Sequence, residues 1–158
     1  MTDRIVISLR AALSAAFVFS IISMGCSKDS APTSTAADVE TGILLNVTTG
    51  MDDLHAVSMG LNLAKTAAER GLPVVVFLNV AAPIFASTSL PADTQYQDFP
   101  PVQELLSAVM AGGGKVFVCG HCAEVAGVDL TTLMPGVVVS EHGTLLAALG
   151  PGLVGFSY

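Results

Sequence analysis

Two thiols three positions apart, in Cys119-Gly120-His121-Cys122, are the residues of this chain best suited to covalent chemistry. A C-x-x-C pair supports three kinds of reaction site. It can cycle between dithiol and disulfide, supply half of a four-ligand zinc site, or let one thiol carry sulfur while the other resolves it. Cys119 ends the apolar run Lys115-Val116-Phe117-Val118 and precedes a short helix expected over 122–126. A helix N-terminus brings free N–H groups and partial positive charge to such a sulfur and favours the nucleophilic thiolate. Cys119 is therefore the expected nucleophile, with Cys122 as helper thiol and His121 as a neighbour that stabilises the anion. The competing reading of Cys119, a buried cysteine that fills space, fits a mid-strand position better than a strand end beside glycine. The chain has no second C-x-x-C to complete a zinc site, and only His142 or His55 could complete a mixed one, so no metal is expected.

The elements that must position these thiols follow from hydrophobic pattern. Apolar runs at 43–47, 74–78, 115–119, 137–139 and 153–156 read as buried strands. Between the first two, Leu54, Val57, Leu61, Ala64 and Ala68 recur at helical spacing, Thr49-Gly50-Met51-Asp52 has capping-box spacing, and Gly71 marks the stop. A second helix is expected to start at Pro100-Pro101, bury Val102, Leu105, Leu106 and Val109, and end at Gly112-Gly113-Gly114; after the short helix over 122–126, another short one is expected over 145–149. Residues 80–100 form a long irregular connection whose Ile84, Phe85, Tyr96 and Phe99 predict a lid or a subunit contact. The fold class is α/β: a mostly parallel five-stranded sheet with helices on both faces, a flavodoxin-like three-layer arrangement.

In open sheets of this kind, ligands bind beyond the carboxyl ends of the strands. Thr48-Thr49-Gly50, the C-x-x-C segment and Ser140-Glu141-His142 all lie there, with His55 one turn into the first helix. Thr49, Gly50, His55 and His142 are thus the candidate substrate-binding residues. Gly112-Gly113-Gly114-Lys115 is not a phosphate loop, because it precedes a strand and lacks the Ser/Thr after lysine. Asp52 and Asp53 suit the positive end of a helix, and nothing else in the chain supports a paired-carboxylate reaction. No cofactor fingerprint is present, and none is expected.

Residues 1–25 read as a targeting segment: Arg4 and Arg10 flank an apolar run over 11–22 that is short for a bilayer span. It ends in Ser23-Met24-Gly25-Cys26, which resembles a bacterial lipobox in Gly25 and Cys26, although an aliphatic residue is usual where Ser23 stands. Cys26 is then the lipidated first residue of an exported protein facing the periplasm. Residues 26–40 lack apolar periodicity and read as a flexible tether, leaving 41–158 as the single α/β domain. Of the 158 residues, 52% are hydrophobic and 12% charged, and the net charge is −7; loss of 1–25 removes Arg4, Arg10 and Asp3 and leaves −8. With that charge and no basic stripe, nucleic acid is excluded as a partner.

The Cys-Gly-His-Cys string matches the protein disulfide isomerase motif, but there the motif follows the first strand of its domain. Here two βα units precede it, and only 36 residues follow Cys122. Over 42–158 the chain resembles the DsrE/DsrF-like family, whose cytoplasmic members relay sulfur as a cysteine persulfide. The resemblance rests on Thr48-Thr49-Gly50-Met51-Asp52-Asp53-Leu54-His55, Phe77-Leu78-Asn79-Val80, Val118-Cys119-Gly120-His121-Cys122 with Gly127, and Gly155-Phe156-Ser157-Tyr158. It implies a DsrE-like fold, a sulfur-carrying Cys119, partners that are small sulfur species or another protein's thiol, and a homotrimer or homohexamer. Export departs from the family pattern, because disulfides persist outside the cytoplasm and would tend to join Cys119 to Cys122. Three functions stay open on these residues: an exported sulfur carrier or sulfurtransferase-like protein, a thiol–disulfide redox protein, and a non-catalytic oligomeric module that binds a ligand or metal.

The lipobox reading predicts that Cys26→Ala abolishes incorporation of labelled fatty acid when the protein is expressed in bacteria. Equal labelling of both forms, or a mature N-terminus elsewhere, would contradict it.

Overall fold

The structure, a computed structural model, describes residues 41–141 and 143–158. The targeting segment 1–25, the tether 26–40, Cys26 and His142 lie outside the described residues.

Runs rich in valine, leucine and isoleucine form five strands, since β-branched and apolar side chains suit a pleated surface buried on both sides. They are β1 (Gly42–Val47), β2 (Val74–Leu78), β3 (Lys115–Cys119), β4 (Val138–Ser140) and β5 (Leu153–Ser157). All pair in parallel, in the order β4-β3-β2-β1-β5, so the sheet is wholly rather than mostly parallel. Register and pleat sort the side chains. Ile43, Leu45, Val47, Val74, Val76, Leu78, Val116 and Val118 share one face, and all are buried. Leu44, Asn46, Val75, Phe77, Phe117 and Cys119 alternate onto the other.

The first face is covered by α1 (Leu54–Glu69) and α2 (Val102–Ala111), packed side by side, and by α3 (Gly120–Val125), which buries Ala123. The connections β1–α1–β2, β2–α2–β3 and β3–α3–β4 all step the same way across the sheet, and right-handed crossovers then put their helices on a common side. The last connection runs back to the opposite edge, beside β1. The same rule puts its helix, α4 (Thr144–Ala148), on the second face, where Ala148 lines a shallow cleft with Val75 and Lys115. Helices thus lie on both faces, but unequally: among the described residues the second carries one five-residue helix.

Three local features differ from the sequence expectation. The Thr49 side chain does not cap α1; a 3-10 turn at Met51–Asp53 comes first, and Asp53 Oδ1 accepts from the Ala56 N–H at 3.0 Å. Asp53 wins because the carboxylate sits three residues before a free N–H, the geometry a cap requires. Gly71, at φ +77, ends the helix as expected. The helix after β3 begins at Gly120, two residues earlier than expected, and makes Cys119 its N-cap.

The third difference is the 80–100 connection, which is not an exposed apolar lid. Its 3-10 turn Ala82–Ala86 buries Phe85 completely, with Ala82, Ala86 and Leu90, in the core beneath α2 and α3. The energetic reason is area: a fully buried phenyl contributes about 2–3 kcal/mol that solvent exposure would forfeit. Phe85→Ala should therefore lower unfolding stability by about 3–5 kcal/mol, measured by denaturant titration. A loss under about 1 kcal/mol would show that the segment is a detachable lid.

Candidate functional site

The site is built by the change of direction between β3 and β4. The chain leaves the carboxyl end of β3 toward the face of α1–α3, and leaves β4 toward the other face. Adjacent strands whose connections diverge in this way leave a crevice at their carboxyl ends, the usual ligand position in open parallel sheets. Cys119 and Ser140 are register partners at the point where that rule puts the crevice. Space directly after the cysteine is tight: a Cβ on Gly120 would lie 3.0 Å from Val139 Cγ1 on β4, which would have to shift to admit it. Gly127 closes α3 at φ +71, a conformation that disfavours other residues.

Cys119 and Cys122 are free thiols, both half-buried. The Cys122 backbone N–H donates to Cys119 Sγ at 3.3 Å, the N-cap bond with sulfur in the place usually taken by oxygen. The expected lowering of the Cys119 pKa does not follow. Burial pushes the thiol up, its side-chain hydrogen bond and charge repulsion with Cys122 add to the rise, and the N–H groups of Cys122 and His121 only partly offset it. Desolvation of a thiolate outweighs the donors of a six-residue helix. Cys119 in this state is therefore mostly a protonated thiol at neutral pH.

His121 is exposed on the first turn of α3, adjacent to both cysteines in sequence. His55 stands at the same end of the sheet, but its ring stacks on Tyr96 at 4.5 Å and meets the edge of Phe99 at 6.4 Å. It pins the 80–100 connection to α1. Thr49 and Gly50 lie in the turn after β1: the Thr49 N–H donates to the Tyr158 carbonyl, the Gly50 N–H to Asp52 Oδ1, and Gly50 packs against Ala81. Cys119, Cys122 and His121 form one group; Thr49, Gly50 and His55 form a second, beyond β2. Among the described residues no three His, Cys, Asp or Glu side chains converge where a metal ion could sit.

Two features escape the sequence reading. A side-chain chain crosses the second face of the sheet at its carboxyl rim: Asn79 Nδ2 donates to Asn46 Oδ1, and Asn46 Nδ2 donates to Ser157 Oγ at 3.1 Å. Its signal is an asparagine inside the apolar run Ile43-Leu44-Leu45-Asn46-Val47, since a polar residue in a buried strand needs partners. The other is a cleft of about 290 Å³ by the C-terminal end of α3, lined by Ile84, Ser87, Leu90, Val128, Asp129 and Thr132 among others, and by neither cysteine.

A family model described as the DsrE/DsrF-like family matches residues 42–152. No curated protein matches the chain. Among solved structures, the crystal structure of the ychN protein from E. coli aligns with a TM-score of 0.48 at 14% identity, over 73% of this chain and 100% of that one.

The raised pKa gives a signed pH dependence. Alkylation of Cys119 by iodoacetamide should be slow at neutral pH and should rise only above the pH at which an ordinary cysteine titrates. Cys122→Ser removes the neighbouring thiol that adds to the rise and should move the alkylation profile to lower pH. Fast alkylation of Cys119 at neutral pH in the unchanged protein would contradict the burial argument.

Proposed function

The chain belongs to the DsrE/DsrF-like family, and on that premise we propose that it is an exported sulfur carrier that holds a persulfide on Cys119. The observation that carries this reading is the position of Cys119, at the end of β3 beside the crevice opposite Ser140, with a backbone donor already on its sulfur. A carrier needs one accessible sulfur on a rigid strand end, and it needs no bound cofactor.

Loading from thiosulfate balances without an external oxidant. The Cys119 thiolate, its proton released to solvent, attacks the outer sulfur; the S–S bond of thiosulfate breaks and sulfite leaves with the electron pair. Unloading is attack by a partner protein's thiolate on the outer persulfide sulfur, which returns the Cys119 thiolate. Because burial keeps Cys119 protonated, the resting thiol is slow to react, whereas a persulfide, more acidic than its parent thiol, holds its charge at the same pH. Export, a lipid on Cys26 as the only membrane attachment, and assembly as a homotrimer or homohexamer complete the proposal.

A second reading uses the same pair as a dithiol–disulfide couple, and the direct contact between the two thiols favours it. The readings connect: hydrosulfide attacking a Cys119–Cys122 disulfide at Cys119 would break the S–S bond, leave the persulfide there and release the Cys122 thiolate.

Intact-mass analysis after thiosulfate exposure separates them. The unchanged protein should gain one sulfur atom, Cys119→Ser should gain none, and Cys122→Ser should keep the adduct for longer, because the thiol that could displace it as sulfide is gone. Loss of the adduct in Cys122→Ser, with clean dithiol cycling in the unchanged protein, would favour the redox couple.

A further inference from the structure

A carboxamide stands at the carboxyl end of the strand next to the one that ends in the thiol. Leu78, the last residue of β2, pairs with Val118 on β3, so Asn79 follows β2 at the level at which Cys119 ends β3. Parallel neighbours run about 4.8 Å apart, within reach of a side-chain amide. Phe77 and Phe117 are register partners on the second face, and alternation returns Cys119 to it. The Asn79–Asn46 hydrogen bond places Asn79 there, because Asn46 is also on that face.

Two constraints fix the amide. Its Nδ2 donates to Asn46 Oδ1, and Asn46 is held in turn by Ser157 on β5. The backbone is held as well: the Asn79 N–H donates to the Val47 carbonyl at 2.9 Å and the Ala81 N–H to the Thr48 carbonyl at 3.1 Å. Between them Val80 takes φ 54, a left-handed conformation unfavourable for a β-branched residue, and its side chain is 62% exposed. Core packing of the valine therefore does not account for that backbone, which turns the chain straight after Asn79. An amide nitrogen carries two N–H groups, and the chain to Asn46 uses one. Asn79 is half-buried, and no hydrogen bond to a described residue takes the other.

We propose that Asn79, oriented by Asn46 and Ser157, donates a hydrogen bond to the outer sulfur of a Cys119 persulfide and so forms the anion subsite of the carrier. This rests on the sulfur-carrier reading and adds what stabilises the loaded form. The subsite takes a small sulfur anion: the persulfide sulfur itself or, before transfer, the outer sulfur of thiosulfate. The donor is neutral, so it favours the charged over the protonated persulfide and holds the outer sulfur until a partner's thiolate takes it.

The test compares the full-length protein with Asn79→Leu and Asn79→Asp, both close to asparagine in size. Thiosulfate is the probe, intact mass reads the loaded fraction, and the pH dependence of persulfide alkylation reads the anion. Circular dichroism identifies which variants fold. Loss of one hydrogen bond to a charged group predicts roughly a tenfold lower loaded fraction in Asn79→Leu. The carboxylate in Asn79→Asp repels the sulfur anion, predicting a larger loss and a persulfide alkylation profile moved to higher pH. Folded Asn79→Leu and Asn79→Asp variants that load like the unchanged protein with unmoved profiles would overturn the subsite. If only one variant folds, its loading and profile decide; if neither folds, Asn46 and Asn79 serve the fold and the subsite is rejected. Failure of the unchanged protein to take sulfur would overturn the carrier reading itself, which is a different result from failure of the variants alone.

Discussion

The reversal of chain direction between β3 and β4 is the constraint on which the rest of the site depends. Three right-handed crossovers stack α1, α2 and α3 over one face, and the fourth must cross the whole sheet to lay β5 beside β1. Divergence of the two connections opens the carboxyl ends of β3 and β4, where Cys119 and Ser140 meet. Among the described residues only α4 lies above the second face, and Cys119, Asn79 and Asn46 at its rim are half-buried while Ser157 is exposed. A fold with helices evenly spread over both faces would bury that rim.

Burial is what distinguishes this thiol pair from an activated one. The N-cap bond from Cys122 and the donor at His121 act to lower the Cys119 pKa, and the half-buried setting and the second thiol overcome them. Such a site is quiet as a thiol. It favours species that carry negative charge more easily than a thiol does, and a persulfide meets that condition. The acidic chain, at −7, adds no long-range attraction for an anion, so recognition must come from short-range donors at the rim.

The strands were readable in the sequence because each apolar run is preceded by glycine or proline, and β2 and β3 match their expected limits residue for residue. The place of Cys119 was readable for the same reason, since it ends a well-marked strand. The cap of α1 was not: Thr49-x-x-Asp52 and Asp53 offer competing carboxylates and hydroxyls, and only three-dimensional geometry chooses between them. Burial of Phe85 was hidden because 80–100 has no periodicity to show which side chains turn inward. The direction of the Cys119 pKa shift was also hidden, since desolvation sums over neighbours distant in sequence. Asn46 did carry a signal, a lone amide in an apolar strand, but its partners Asn79 and Ser157 lie 33 and 111 residues away.

Locating the sulfur directly is the most searching test of the account. A crystal structure of the protein after exposure to thiosulfate, phased with anomalous scattering from sulfur, would show where the transferred atom resides. The account predicts a new peak bonded to Cys119 Sγ at about 2.05 Å, the length of a sulfur–sulfur single bond, and lying on the side of the sheet that carries Asn79. A peak on Cys122, or a Cys119–Cys122 disulfide with no added sulfur, would contradict it.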